Sequence, residues 1–383
     1  MAGLYLHVPY CRQACHYCDF HFSTQLGTLP SMGEAMQREI AHRFPEPEAM
    51  ETWYWGGGTP SVLPAAVLRQ WVGQSMRSAP LAPGGEFTLE ANPEDLNTEN
   101  LALWQSVGVN RLSVGIQSFV NQRLQWMNRA HTGLQAKEGI ARAQDAGFEN
   151  ISVDLMYGLP ETSLGEWQDN VGQALELGTP HLSTYALTVE ERTPLHHQIH
   201  LGKTPAPKDE RATEDFLWLR HTLRAVGWEP YEISNASKPG WRAKHNSAYW
   251  SGQAYTGIGP GAHSFDGQQK RGWNIANNAR YLKAWKAENG LPDSAIFETE
   301  TLTAKDRLNE QIMTQLRRME GLPRHAMGSY AAILDKRWLE FQEKDWMIIS
   351  DKGWHLTDMG LMWMDQIASK GFAEEKDLGT LDA

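Results

Sequence analysis

The chain is short of cysteine. Three occur in 383 residues, Cys11, Cys15 and Cys18, packed into one short segment. An odd, tightly clustered set is a poor disulfide framework. Long hydrophobic runs are also missing. No stretch approaches the roughly 18 uncharged apolar residues that would span a bilayer, so no transmembrane helix is expected. The first residues lack a basic segment followed by an apolar one, so no secretory signal is expected. Positive charge is scarce: 35 Lys and Arg stand against 46 Asp and Glu, a net charge of −11. That balance argues against a protein built mainly to grip nucleic acid. No GxGxxG pattern follows the first expected strand, which argues against a dinucleotide-binding fold. Aromatic residues, by contrast, are plentiful. They make up 10% of the chain and include 16 tryptophans, while hydrophobic residues make up 41%. The chain can bury a large core, and its length suits two to three domains at about 150 residues each. Without an export signal the expected location is the reducing cytoplasm, where clustered thiols bind metal or do chemistry.

Up to about residue 190 the pattern alternates between strand and helix. Short β runs are expected at 4–8, 52–55, 86–89, 111–115, 151–156 and 181–187. Amphipathic helices are expected at 31–44, 65–76, 99–106, 134–146, 164–177 and 209–226. Six strands alternating with helices imply a parallel sheet of right-handed βαβ units. The expected fold class is α/β: a partial (β/α)6 TIM-type barrel over 1–235. Residues 236–300 read as an irregular connecting segment, of the kind kept for function or for covering a site. Residues 301–383 read as a mostly helical, winged-helix-like domain. There Ile312, Leu316 and Met319 mark one helical face, and a hairpin turns at Asp351-Lys352-Gly353. This last part holds 11 basic and 14 acidic residues. A wing that reads DNA would be basic, so a structural or partner-binding role is expected instead.

The three cysteines follow the first strand directly, at CxxxCxxC spacing. Three thiolates can hold three irons of a [4Fe–4S] cube. With no fourth cysteine, one iron keeps an open position, as catalytic metals do when they bind substrate. The alternative is structural zinc, with His16 or His21 as fourth ligand. Such sites usually pair ligands as CxxC with a second pair further on, and no second pair occurs here.

CxxxCxxC straight after a first strand resembles the radical S-adenosylmethionine superfamily. Trp55-Gly56-Gly57-Gly58-Thr59-Pro60-Ser61 resembles the superfamily's glycine motif. There, glycine would let bare backbone approach the amino-acid end of S-adenosylmethionine. Glu90-Ala91-Asn92-Pro93, Gly115-Ile116-Gln117-Ser118-Phe119 and Val153-Asp154-Leu155-Met156-Tyr157-Gly158-Leu159-Pro160 resemble the coproporphyrinogen-oxidase-like branch. The resemblance covers nearly the whole chain. It implies that Cys11, Cys15 and Cys18 hold the [4Fe–4S] cluster. It also implies that Tyr5, Gly57, Gly58, Thr59, Glu90, Gln117, Arg129 and Asp154 contact S-adenosylmethionine, with Tyr17 against the adenine. The residues point the same way. Glu90, Gln117 and Asp154 fall at or just after C-terminal strand ends, the face where barrel sites are built. A ligand with an ammonium, ribose hydroxyls and a sulfonium needs carboxylate and amide partners.

Two functional classes share this scaffold. One is the oxygen-independent coproporphyrinogen III oxidase of porphyrin biosynthesis, which uses a 5′-deoxyadenosyl radical for oxidative decarboxylation. The other is the HemW-type haem chaperone, which binds haem as cargo and delivers it to acceptor haem proteins, respiratory ones among the candidates. The oxidase pattern extends to CxxxCxxCxC, whereas here Phe20 stands in the last position. Lys244-His245-Asn246-Ser247-Ala248-Tyr249-Trp250 is similar to the HNxxYW motif of HemW-like proteins. That similarity implies haem contact through His245, Tyr249 and Trp250, since imidazole ligates haem iron and aromatic faces suit a porphyrin. On spacing alone, a satisfied surface histidine at His245 and ordinary core at Trp250 are the favoured readings, and only the family similarity brings haem contact level with them. The chaperone is the favoured expectation. A radical reaction on another substrate stays open, because the cofactor carries the hard chemistry and the pocket chooses the substrate. Peripheral contact with membrane-bound acceptors also stays open, though no basic amphipathic helix marks it.

Overall fold

The computed structural model describes residues 2–286, 296–374 and 377. Six parallel strands form its centre: β1 (Ala2–Val8), β2 (Met50–Gly57), β3 (Leu81–Ala91), β4 (Arg111–Gln117), β5 (Asn150–Tyr157) and β6 (His181–Ala186). They lie side by side in chain order. Helices Leu29–Arg43, Ala65–Ser78, Thr98–Ser106, Gly133–Asp145, Leu164–Glu176 and Asp209–Ala225 connect or follow them. This is the expected alternation; most strands run one or two residues beyond the expected ends, β3 starts five residues earlier and β6 ends one residue sooner.

Side chains alternate across a strand, and here the two faces differ sharply. Leu4, Leu6, Trp53, Trp55, Phe87, Leu89, Leu112, Val114, Ile151 and Val153 are buried in one apolar cluster with the surrounding helices. The opposite face carries Tyr5 and His7, Thr52 and Tyr54, Glu86, Thr88 and Glu90, Arg111 and Ser113, Ser152 and Asp154, His181 and Ser183. These side chains hydrogen-bond to one another across strands: Tyr54 to Glu90, Ser113 to Asp154 and Ser152 to His181. The interior of the half-barrel is therefore polar, unlike the apolar filling usual in closed eight-stranded barrels.

The sheet does not close. Its ends are β7 (Asn235–Ser237), antiparallel to β6, and an extension beyond β1. That extension is β8 (Tyr255–Ile258), parallel to β1, then the antiparallel β9 (His263–Phe265), β10 (Lys270–Asn274) and β11 (Phe297–Thr301). Residues 236–300 are thus far from irregular where they are described. They supply four strands and the helices Lys244–Trp250 and Asn278–Trp285. Strands of three to five residues carry too little periodicity to read from sequence. They form because a sheet edge is already there to pair with.

The C-terminal part has its own apolar cluster, including Ile312, Leu316, Leu334, Trp338, Phe341, Trp354 and Ile367. Helices Ala304–Gln315, Ala331–Glu343, Asp358–Met362 and Met364–Gly371 pack around β12 (Leu322–Pro323), β13 (Met347–Ser350) and β14 (Gly353–Leu356). The hairpin of β13 and β14 turns where the sequence places it. Met319, however, lies beyond its helix and is 52% exposed. Its backbone N–H instead bonds the carbonyl of Tyr231 at 2.9 Å. Arg220, buried on helix Asp209–Ala225, donates to Asp358 at 2.6 Å and so ties the two parts together. Among the described residues, no helix is long and apolar enough to cross a membrane.

Candidate functional site

The three cysteines lie on the loop that leaves the top of β1. All three thiols are free and partly buried. The loop is gripped by four neighbouring loops. From the loop after β2, Gly58 N–H bonds Val8 O at 2.9 Å and Thr59 N–H bonds Tyr10 O at 2.7 Å. From the loop after β3, Asp95 pairs with Arg12 and also accepts from Ser61 at 2.6 Å. From beyond β4, Asn128 donates to Ala14 O at 2.7 Å and accepts from Gln13 at 2.7 Å. From beyond β6, Leu195 N–H bonds His16 O at 2.8 Å.

Two donors point at the sulfurs. Thr59 Oγ1 donates to Cys11 Sγ at 3.3 Å, and Arg129 donates to Cys15 Sγ at 3.4 Å. Burial pushes the Cys11 thiol up to about 11 and the Cys18 thiol up to about 12; the Thr59 hydroxyl and Arg129 pull Cys11 back down, while neighbouring thiols push both up. A metal centre reverses that preference, since bound thiols are deprotonated. The zinc alternative finds its two histidines engaged elsewhere. His16 donates through Nδ1 to Trp126 O at 2.7 Å, and His21 Nε2 lies 2.8 Å from Asn278 Oδ1. Among the described residues, no three His, Cys, Asp or Glu side chains converge as around a single ion. A cubane spreads its ligands, one thiolate to each iron.

The other expected contacts line the same rim or the interior below it. Glu90 accepts from Tyr54 at 2.7 Å, and burial raises its carboxyl to about 7. Asp154 sits inside β5, short of the strand end, so it faces the interior and not the rim. It accepts from Ser113 at 3.1 Å and Ser152 at 3.2 Å, and burial raises its pKa. Gln117 closes β4 with φ at 69°, beside a register shift between Gly115 and Gln117. Left-handed backbone is uncommon for a residue with a side chain, and bulges of this kind re-aim side chains next to sites. Tyr5 donates to His7 Nδ1 at 3.1 Å, because His7 Nε2 is occupied by the carbonyl of His21 at 2.8 Å. Tyr17 packs in a small apolar cluster with Met127, Met156 and Leu195.

The glycines have a structural reason that the sequence reading lacks. A Cβ on Gly58 would stand 2.5 Å from Tyr10 O, and one on Gly57 would stand 2.4 Å from the His7 ring. Their bareness lets the β2 loop lie against the cysteine loop.

His245 is placed differently from the rim residues. Its helix, Lys244–Trp250, docks at the lower end of the barrel. Glu86 accepts both first backbone N–H groups of that helix, from Lys244 and His245, at 3.0 Å each. The imidazole reaches the interior, with Nδ1 2.8 Å from Thr52 Oγ1 and its ring stacked 5.1 Å from Tyr54. Burial and the Arg111 charge lower its pKa to about 4. The crevice it shares with Tyr249 and Tyr255 measures about 10 Å³. Trp250 faces the C-terminal part: its carbonyl accepts from Gln315, and Arg317 covers its ring at 5.5 Å.

Sequence reasoning passed over Tyr54, Arg111 and Asn92. Tyr54 links Glu90 above to His245 below. Arg111 is 1% exposed in the interior, with its Nε unpartnered among the described residues. Asn92 accepts from Arg129 at 2.8 Å. The alternation of polar with apolar residues inside each strand was the signal that could have found the first two.

Residues 5–172 match the radical SAM superfamily. Over 377 residues the chain is 32% identical to the heme chaperone HemW of Bacillus subtilis (strain 168), covering 96% of this chain and 98% of that one. The chain belongs to the HemW family of radical SAM proteins. It is also 30% identical to heme chaperone HemW of Escherichia coli (strain K12), over 97% of this chain and 98% of that one. The solved structure of coproporphyrinogen III oxidase from Escherichia coli superposes with a TM-score of 0.83 at 20% identity, covering 97% of this chain and 90% of that one. HemW-family sequence thus sits on the fold of that oxidase.

Proposed function

We propose that this chain is a haem chaperone. In this reading it carries a [4Fe–4S] cluster on Cys11, Cys15 and Cys18, binds S-adenosylmethionine beside it, and delivers haem to acceptor haem proteins. The observation that carries the proposal is full-length similarity to proteins named heme chaperone HemW. Phe20, standing where the oxidase pattern has a cysteine, agrees with it.

The residues present suit these groups. Three thiols share one clamped loop, and a hydroxyl and a guanidinium are already aimed at two of the sulfurs. Such donors favour thiolate over thiol. When bound, the cluster supplies an electron and one iron free of cysteine for the amino-acid end of S-adenosylmethionine. Glu90 and Asp154 offer carboxylates to the ammonium and ribose hydroxyls. Gln117 adds an amide from its bulge. Arg129 holds the rim together and keeps its charge beside Cys15. Tyr17 shields the loop from water on its apolar side.

A reducing, cytoplasmic setting suits three unpaired thiols. The chain is placed there, with haem as cargo and haem proteins as partners.

Anaerobic purification with iron, sulfide and haem measured tests the proposal. About four irons and four sulfides per chain are expected, together with saturable haem binding. Zinc in place of iron, or no haem binding, overturns it. Incubation with coproporphyrinogen III, S-adenosylmethionine and a reductant separates the alternative. Formation of protoporphyrinogen would make the chain an oxidase.

A further inference from the structure

This inference rests on the haem reading and concerns where the macrocycle lies. The crevice beside His245 is far below the roughly 300 Å³ of a small ligand pocket. A porphyrin reaches that imidazole only if helix Lys244–Trp250 moves away.

A second imidazole needs no such movement. β9 crosses the inner face of β8, because the carbonyl oxygen of His263 passes 2.1 Å from where a Cβ on Gly257 would stand. Only glycine permits that crossing. It carries His263 to the barrel rim, within electrostatic reach of His7. The His263 side chain is exposed, and neither ring nitrogen has a hydrogen-bond partner among the described residues. Trp273, its cross-strand partner, lies 5.8 Å away with the rings 25° from parallel. Glu298 accepts from the Trp273 indole at 3.1 Å and fixes its plane. Phe265 sits opposite Tyr255, which in turn packs 5.2 Å from Tyr249 of the HNxxYW helix. One side of the extension therefore offers flat aromatic surface from the rim down to that helix.

A neutral imidazole with an uncommitted nitrogen is the usual protein ligand of haem iron. Partial burial of the ring against its neighbours and the Arg271 charge hold the His263 pKa down, which keeps the ring neutral. Aromatic faces take a planar macrocycle. We propose that His263 is an axial ligand of the bound haem iron, with the macrocycle lying along the Trp273 side of β9 and β10.

The test is titration of the full-length protein with ferric haem, following the Soret band. Wild type, His263→Ala, Trp273→Leu and His245→Ala are compared, with melting temperature and iron content as controls. His263→Ala should shift the Soret band and weaken haem binding on the order of 10- to 100-fold. Added imidazole should restore the wild-type spectrum. Trp273→Leu should weaken binding without changing the ligand spectrum. A folded His263→Ala protein with unchanged spectrum and affinity overturns the assignment, while the haem-chaperone reading survives. Absence of haem binding by the wild type overturns both.

Discussion

Arg129 reaches Cys15 Sγ at 3.4 Å with one guanidinium nitrogen, while the other is shared between Asn92 Oδ1 at 2.8 Å and Gly115 O at 2.6 Å. One side chain thereby connects the cysteine loop, the end of β3 and the bulge that aims Gln117. The guanidinium is buried, which opposes its charge, while Cys15 and the Glu94 carboxylate favour it. A planar fork makes these three contacts at fixed angles, which a lysine ammonium cannot reproduce.

Arg129→Ala and Arg129→Lys should both reduce cluster occupancy and S-adenosylmethionine affinity. A hydrogen bond to a charged group is worth about 1.5–3 kcal/mol, or roughly 10- to 150-fold in binding. Iron and sulfide content with equilibrium dialysis of S-adenosylmethionine gives the answer. Wild-type values in Arg129→Lys would remove the guanidinium from this role.

Glu90 should make the protein sensitive to pH near neutrality. Its folded pKa is raised from 4.5 to about 7, chiefly by burial. Tyr54 lowers it, as do Gly57 N–H and Arg111, while Asp154 raises it. A raised carboxyl contributes stability that is full below the unfolded pKa and lost as pH climbs through the folded one. The ligand-free melting temperature should therefore fall from about pH 4.5 to about pH 7 and level off above that. A ligand carrying an ammonium should bind more tightly as pH climbs through about 7, where the folded carboxylate forms. Both slopes should flatten in Glu90→Gln. Equal slopes in wild type and variant would refute the assignment.

Gly58→Ala should damage the cysteine loop without touching a cysteine. The added Cβ would meet backbone oxygens of Tyr10 and Val8 at 2.5 and 2.7 Å, and these cannot rotate away. Overpacking of this kind costs about 1–3 kcal/mol. Denaturant unfolding should show that loss together with poor cluster reconstitution. Gly84→Ala is a suitable comparison at the level of packing, since no atom lies within 4 Å of its added Cβ. There only the left-handed φ of 73° opposes the change. Full reconstitution of Gly58→Ala would contradict the proposed contact.

Asp358→Ala should loosen the C-terminal part from the barrel. It would strand Arg220, which is 5% exposed and, among the described residues, otherwise bonds only the carbonyls of Glu232 and Pro230. Removing one partner of a buried pair typically costs 3–5 kcal/mol, and the partial exposure of Asp358 places the expected loss near the lower end, about 3 kcal/mol. Limited proteolysis around residue 300 should accelerate. A variant as stable and as resistant as wild type would show that other contacts hold the two parts together.

Much of the fold is legible in the residues themselves. Each of the six central strands is a local run of alternating side chains, and each covering helix has its own apolar stripe. The cysteine loop is equally local, because CxxxCxxC and its lack of a fourth cysteine can be read within one segment. Glu90 and Gln117 are legible as strand-end residues. Asp154 is less so, since its strand continues past it. The extension β8–β11 is hardly legible at all. Its strands are short, and what stabilises them is pairing with residues such as Gly3 and Leu6, distant in the chain.

The sequence by itself determined the order of the six central strands and their helices, the three-thiol loop and the family. These depend on neighbours in the chain and on spacing. Tertiary structure alone decided that four loops grip the cysteine loop, that the barrel interior is polar from Tyr5 to His181, and that His245 enters that interior from below while His263 stays exposed at the rim. Each depends on hydrogen bonds and burial between residues far apart in sequence, such as the 193 positions between Thr52 and His245. A residue's type can suggest such a contact, but only the folded chain supplies the partner.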